Sequence, residues 1–307
     1  MPAVSVIIPF FNVEKYIEKC AECLFTQTLD DIEYIFINDG CTDNSASVLN
    51  EISETYSHRN IHIISLGNNS GVAHARAEGM NAATGEYMIH CDADDLIDDD
   101  MYERMYQWAV ENNADIVTCN FNTHISSTTG KDMLASGKFT HTLWDKLIKT
   151  SLIKDNNIYP YENINAGEDL NVVVRALHNA DKVCCINNYH PYHYNNQNPT
   201  SITNSDKIEN FNRYTKPNIE RLSKFLQASD GNYDMVEMYL KFLGKRSLLH
   251  CGKTKQWCTT WQECHKYIPL FPIPKRYRRR MTMLANHPTL LHLYYTWLNY
   301  RYKSHEL

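Results

Sequence analysis

Nowhere does this chain approach the roughly 20 uninterrupted apolar residues that a bilayer-spanning helix requires, and only Met1, Pro2, Ala3 and Val4 precede its apolar opening, Ser5 to Phe10. Neither a transmembrane helix nor a secretion signal is expected, and the opening reads as a strand. Internal repeats and low-complexity tracts are missing too, which sets aside solenoids and fibrous chains. Ten cysteines are spread over 307 residues, far from the density of a small secreted scaffold, so they read as reduced, partly buried thiols of a cytoplasmic protein. Cys20 and Cys23 have redox-motif spacing but fall in a helical pattern with no second pair, and Cys251, Cys258, Cys264 and His265 match no common zinc finger. What remains, 43% hydrophobic and 21% charged residues, is the composition of ordinary globular domains.

Acids are nearly absent from one end. From Phe271 to Leu307 seven Lys and Arg face the single acid Glu306, a net of +6; the whole chain carries −6, so the remainder carries −12. Charge divided this way implies different partners at the two ends. The basic residues mix with Leu290, Leu291, Leu293, Tyr294, Tyr295, Trp297, Leu298 and Tyr300. That mixture suits an anionic membrane surface, and equally a helix packed on the rest of the protein with arginines at its rim. No recognition module accompanies the charge, so nucleic acid is not an expected partner.

Strands are predicted at Val4–Ile8, Tyr34–Ile37, Ile61–Ile64 and Tyr87–His90 and from Asp115 to Cys119. Helices are predicted at Tyr16–Phe25, Ala46–Ile52, Val72–Ala83 and Met101–Val110. This alternation means βαβ units in an α/β fold, a mostly parallel sheet flanked by helices, and such sheets take ligands beyond the carboxyl ends of their strands. The polar Asn122–Lys138 reads as an exposed excursion or hairpin. Helical patterning returns at Trp144–Ile153 and Glu168–Asn179, before a strand at Val183–Ile186. From about Asp206 β-branched runs vanish, which places a boundary near residue 205 between an α/β domain, 1–205, and a helical C-terminal region, 206–307.

The acids cluster where a parallel sheet binds ligands. The second strand ends in Asn38-Asp39-Gly40-Cys41-Thr42-Asp43-Asn44-Ser45 and the fourth in Cys91-Asp92-Ala93-Asp94-Asp95. On an extended backbone Asp92 and Asp94 project to one side and Asp95 to the other. Like charges this close need a cation or hydrogen-bond donors, and oxygen ligands suit Mg²⁺ or Mn²⁺ bridging protein carboxylates to a diphosphate. Alone, an Asp-x-Asp serves as well to cap a helix.

It does not stand alone. Ser5-Val6-Ile7-Ile8-Pro9-Phe10-Phe11-Asn12, Asn38 to Ser45, Asn69-Ser70-Gly71 leading to Ala75-Arg76, Gly85-Glu86-Tyr87 leading to Asp92-Ala93-Asp94-Asp95, and Gly167-Glu168-Asp169 follow one another in order. As a set they resemble glycosyltransferase family 2, the inverting nucleotide-sugar-dependent transferases of the GT-A fold. Trp144-Asp145-Lys146-Leu147 and Ser201-Ile202-Thr203-Asn204-Ser205 resemble segments of its polysaccharide-assembling members. Cys41 stands where the family usually has Ser, and Ala77 where Asn often follows the Arg; both bear on donor fit.

The resemblance implies that Pro9 and Phe11 line the nucleotide base, that Asp39 accepts a hydrogen bond from it, and that Arg76 lies near the nucleotide. A carboxylate only accepts, so it selects an imide N–H such as that of uracil. Asp92 would contact the ribose, Asp94 would hold Mn²⁺ or Mg²⁺, and Asp95 would share either role. Asp169 would be the base that deprotonates the acceptor, with Glu168 beside it; the two acids also suit the N-terminus of a helix. The implied donor is a UDP-hexose or UDP-N-acetylhexosamine, and the implied acceptor a surface saccharide, free or lipid-linked. The implied place is the cytoplasm or the inner face of the cytoplasmic membrane. His190, Tyr192, His193 and Tyr194 read as a core or cleft-wall strand, with His193 or Ser201 as a further diphosphate or acceptor contact. A sugar-nucleotide nucleotidyltransferase is the rival within the fold, although Pro9-Phe10-Phe11-Asn12-Val13 lacks the glycine and lysine of its phosphate loop. A noncatalytic nucleotide-binding or regulatory protein is the rival outside it.

Overall fold

A computed structural model describes residues 1–119, 126–196, 198 and 207–303, with side chains as far as Leu298. It comprises two compact units, one of Met1–Met133 with Phe139–Asn198 and one of Leu134–Lys138 with Pro199–Leu307. The boundary expected at residue 205 falls outside the described residues, as do Ser201 to Ser205.

The first unit begins β1 (Val4–Phe10), α1 (Ile17–Phe25), β2 (Ile32–Asn38), α2 (Ser45–Thr55), β3 (Asn60–Ser65), α3 (Val72–Ala82) and β4 (Tyr87–His90). It continues through β5 (Leu96–Ile97), α4 (Met101–Asn112), β6 (Ile116–Thr118), β7 (Ser127–Thr128), α5 (Gly130–Ser136, whose residues from Leu134 on are counted with the second unit), β8 (Lys146–Lys149), α6 (Thr150–Asp155), α7 (Glu168–Asn179), β9 (Val183–Cys185) and β10 (Tyr192–His193). Eight of these strands form one sheet in the order β3-β2-β1-β4-β8-β6-β9-β7. The β3-β2-β1-β4 half is parallel, and β8 enters antiparallel between β4 and β6. β1 and β2 are mostly apolar, broken only by Ser5, Glu33 and Asn38, because helices cover both of their faces. Val4, Val6, Ile8 and Phe10 join α1 and α4 in one core. On the opposite face Gly79 of α3 sits so close to Ile7 that a Cβ there would come within 2.4 Å of its Cγ2.

Strand order reverses at β1, which pairs with β2 on one side and with β4 on the other. A crevice therefore opens beyond the carboxyl ends of β1 and β4, and it receives Phe11 and Asn12 from one strand and Cys91 to Asp95 from the other.

Two predicted segments differ. Trp144–Ile153 is not one helix: Lys146–Lys149 is a strand, and α6 starts only at Thr150. Lys146-Leu147-Ile148-Lys149, with only two apolar residues, has no decisive period, and the open edges of β4 and β6 claim it. Asn122–Lys138, over its described part, is largely exposed but not a loop: β7 pairs with β9, and α5 follows with Met133 and Leu134 buried. The Thr129 hydroxyl caps α5, accepting the Asp132 N–H and donating to its carboxylate, a capping signature legible in the sequence.

In the second unit come α8 (Lys207–Asn210), a π turn (Phe211–Thr215), α9 (Lys216–Ala228), α10 (Asp234–Gly244), α11 (Arg246–His250), α12 (Thr254–Thr259), a 3₁₀ stretch (Gln262–Leu270), α13 (Lys275–Ala285) and α14 (Pro288–Lys303). Phe211, Phe242, Trp257, Phe271, Met281 and Leu291 centre its core.

Glu33 locks the β1, β2 and β4 ends opposite the crevice. It is buried on β2 and accepts hydrogen bonds from the Ser5 hydroxyl and from the Thr84 and Gly85 N–H groups. Burial alone raises a carboxyl's pKa, but these donors reverse the effect and hold Glu33 below its ordinary value. Glu33→Gln should therefore lose about 2–3 kcal/mol at pH 7. Because a depressed pKa stabilises above the unfolded value and is lost as pH falls through the folded one, the gap should close in strong acid; urea titrations at pH 7 and pH 3 read both.

Candidate active site

Three segments interlock at the ends of β1 and β2. Asn12 is left-handed, with φ 51°, and its side chain accepts the Thr42 N–H at 2.9 Å. Asp39 accepts the Ser70 and Gly71 N–H groups at 2.7 and 2.9 Å. Both of its oxygens are used once, which leaves half of a carboxylate's roughly four acceptor positions. A Cβ on Gly40 would come within 2.6 Å of the Asn69 nitrogen, and one on Gly71 within 2.1 Å of the Asn165 side chain. Both glycines have positive φ, so space and backbone each demand glycine. Pro9 is half-buried and Phe11 is 41% exposed.

Beyond β4 the acids are not extended. The Asp95 N–H donates to the Asp92 carbonyl at 3.1 Å, and the turn sends each carboxylate elsewhere. Asp95 is buried on the Tyr192 hydroxyl and the Asn195 N–H, each at 2.6 Å. Burial pushes its carboxyl up to about 7 against those two donors. The Tyr192 hydroxyl also accepts the Asp92 N–H, and its ring stacks on Trp144 at 4.1 Å. Asp94 is half-buried and accepts the Asn198 amide at 2.7 Å. It forms no ion pair among the described residues, and burial raises its pKa.

Asp92 turns to Arg76. That arginine is no solvated helix residue: it is 4% exposed and donates to Asp92 at 2.8 Å and to Glu168 at 3.1 Å, with Asp169 3.4 Å away. Its remaining terminal nitrogen lies 3.3 Å from Nδ1 of His90. Burial and the guanidinium hold His90 well below its ordinary pKa, so it is neutral and accepts. Burial also opposes the charge of Arg76, yet Asp169, Asp92 and Glu168 together raise its pKa. Three carboxylates nevertheless share one cation. Asp169 shows the deficit: burial pushes it up to about 8, Glu168 and Asp92 add to that, and Arg76 and the Leu143 N–H oppose it.

Glu168 and Asp169 make no side-chain cap at the head of α7, which left-handed Gly167 starts. Their carboxylates serve Arg76 instead. The Leu143 N–H donates to Asp169 at 3.2 Å. Behind it, buried Asp145 accepts the Thr142 hydroxyl at 2.9 Å and the Lys146 ammonium at 2.7 Å, and that ammonium also holds the Thr142 carbonyl. His193 is exposed and lies 2.6 Å from Asp98.

Arg76, Asp92, Glu168 and Asp169 are thus brought together from three segments. Asp39, Pro9 and Phe11 line the adjoining loops, Asp94 stands beside Asp92, and Asp95 braces the turn from beneath. His90, Leu143, Asn165 and Asn198 were not singled out from the sequence; a neutral histidine, a backbone amide and two asparagines carry no pattern of their own. Residues 5–162, just over half the chain, match the model of Glycosyl transferase family 2. The chain belongs to glycosyltransferase family 2. Glu168 and Asp169 lie just past the matched stretch. The chain is 32% identical over 224 residues to the uncharacterized glycosyltransferase EpsJ of Bacillus subtilis, an alignment covering 66% of this chain and 63% of that protein. Among the solved structures that share its fold are two with bound nucleotide sugars. S. aureus TarS 1–349 in complex with UDP-GlcNAc superposes with a TM-score of 0.68 at 18% identity, covering 99% of this chain and 92% of that one. The mannosyltransferase PcManGT of Pyrobaculum calidifontis, in complex with GDP-Man and Mn²⁺, gives 0.62 at 15% identity, covering 96% and 87%. The fold is therefore GT-A.

Removing Arg76 should leave its carboxylates facing one another. Arg76→Gln is expected to cost about 3–5 kcal/mol at pH 7, as for other broken buried ion pairs. The loss should shrink near pH 4, where the acids take up protons; denaturant titrations at the two pH values measure it.

Proposed function

We propose that this protein transfers a hexose or N-acetylhexosamine, with inversion, from a UDP-sugar to a saccharide acceptor of a surface glycan. The observation that carries the reading is Arg76, which gathers acids from β4 and from the start of α7 at the β1–β4 crevice. Neither the nucleotidyltransferase reading nor the noncatalytic one calls for an acid opposite the β4 turn. The named partners of the fold neighbours, UDP-GlcNAc and GDP-Man, support a nucleotide-sugar donor.

In this reading Pro9 and Phe11 flank the base and the spare acceptor positions of Asp39 take an imide N–H. Asp92, fixed by Arg76, meets the ribose. Inverting transfer requires the acceptor hydroxyl to lose its proton as it attacks, and Asp169 is the group we assign to take it. A base works best with a pKa near the working pH, and burial supplies that. Its Oδ2 is fixed by the Leu143 N–H, while its buried Oδ1 faces Arg76 Nε at 3.4 Å and makes no hydrogen bond.

The residues fit a divalent cation. Asp94 has no cationic partner among the described residues, and Arg76 neutralises only one of its three acids. Mg²⁺ and Mn²⁺ are commonly held by one or two carboxylates together with waters and substrate phosphates. Asp94 would hold it, and when bound it supplies charge stabilisation to the departing diphosphate. The cytoplasm suits the ten cysteines, none of which is in a disulfide. No helix of the described residues is long and apolar enough to cross a membrane.

Calorimetric titration with UDP should show tight binding with Mn²⁺ and weak binding with excess chelator, and Asp94→Ala should remove the difference; equal affinities would refute the metal assignment. Asp169→Asn should keep UDP affinity and lose 10²-fold or more in kcat, about the lower range of acid–base catalysis. Because the base must be ionised, kcat/KM should rise with pH through an ascending limb near pH 8, absent in Asp169→Asn.

A further inference from the structure

The acid-free end of the chain has a surface of its own. Between Glu263 and Glu306 there is no Asp or Glu, so nothing on α13 or α14 neutralises their bases. α13 buries Met281 and Leu284, α14 buries Leu291 and Tyr295, and the pair is clasped where Arg280 donates to the Tyr294 hydroxyl at 2.5 Å. Arg278 is likewise engaged, donating to the Phe271 carbonyl at 3.0 Å. Of the three consecutive arginines, Arg280 therefore joins the two helices and Arg278 ties α13 to the segment before it.

The outward residues tell a different story. On α13, Lys275, Arg276, Arg279 and Met283 are exposed, the last three at i, i+3 and i+7. On α14, Leu290, Leu293 and Trp297 are 48%, 60% and 52% exposed, again at i, i+3 and i+7. Such spacing places each set in one stripe. Both stripes border the clasp, since Arg276 and Met283 lie one turn from Arg280, and Leu290 and Trp297 one turn from Tyr294. A basic stripe and an apolar stripe thus run beside each other on one helix pair.

We infer that this face docks on the surface of an anionic lipid bilayer, the bases meeting headgroups and Leu290, Leu293 and Trp297 entering the boundary beneath. Charge decides the occupant. An apolar stripe alone would suit any partner, but the adjoining bases have no acid of this chain near them in sequence, and a second copy set face to face would bring like charges together. An indole at the rim of an apolar stripe also suits the interface between headgroups and chains. The inference does not rest on the chemistry assigned to Asp169, and its test reads binding alone.

The full chain is sedimented with vesicles of equal parts phosphatidylglycerol and phosphatidylcholine, and with pure phosphatidylcholine. It should bind the acidic vesicles at low salt, bind the neutral ones far less, and detach as added salt shortens the screening length from about 10 Å at 0.1 M to about 3 Å at 1 M. Arg276→Ser with Arg279→Ser should weaken partitioning about 25-fold, about fivefold per base, whereas Arg276→Lys with Arg279→Lys should not. Leu293→Ser with Trp297→Ser should remove the binding that survives salt. These side chains are exposed, so each variant should keep the wild-type melting temperature. Trp297→Phe should abolish the blue shift of tryptophan emission on acidic vesicles. Equal binding to neutral and acidic vesicles, no binding at low salt, or unaltered binding by folded Ser variants would overturn the inference. So would self-association in solution that Leu293→Ser abolishes while vesicles are ignored.

Discussion

One guanidinium answers for three segments of chain. Arg76 comes from α3, Asp92 from the turn after β4, and Glu168 and Asp169 from the start of α7. Each acid alone would be a costly buried or half-buried charge; around one planar, permanently charged side chain they become a framework. The arrangement is deliberately incomplete in charge. One positive group faces three carboxyl groups, and Asp169 holds its proton chiefly because it is buried, with Glu168 and Asp92 adding to that and Arg76 opposing it.

A second buried ion pair, Asp145 with Lys146, serves geometry rather than chemistry. Buried pairs contribute little net stability against an apolar alternative. This one ties the Thr140–Leu143 segment through two threonines and presents a single backbone N–H to Asp169. The acid is thereby oriented from the strand side by Leu143 and from the helix side by Arg76.

The sheet was legible because its strands are the kind that sequence reveals: β1 and β2 are buried on both faces and read as apolar runs. β8 was not, since Lys146–Lys149 acquires its strand character from the neighbours it fills between. The acids were legible as clusters at strand ends, but their directions were not, because the 92–95 turn is set by Tyr192 and Asn195, about a hundred residues away. Arg76 was visible as a residue and invisible as a hub: Glu168 lies 92 positions further along the chain, and no local pattern encodes such a meeting. In the helical unit the charge imbalance was plain from composition. Which arginines are engaged and which point outward needed the packing of Tyr294 and Phe271.

The position of β1 in the sheet bears on how the protein emerges from the ribosome. β1, β2 and β3 are consecutive neighbours, but a domain folds as a unit, so their pairing waits on strands made much later. Arg76 follows directly, yet two of its acids arrive only with residues 168 and 169. For the interval in which some 90 further residues are made, the nascent chain holds an arginine destined for burial with Asp92 as its sole acidic partner of the three. Slow translation or truncation within that interval would expose an unfinished crevice to chaperones and proteases, and the unit is incomplete even after the charge cluster, because β9 and the Tyr192, Asn195 and Asn198 that brace the 92–95 turn are made later still.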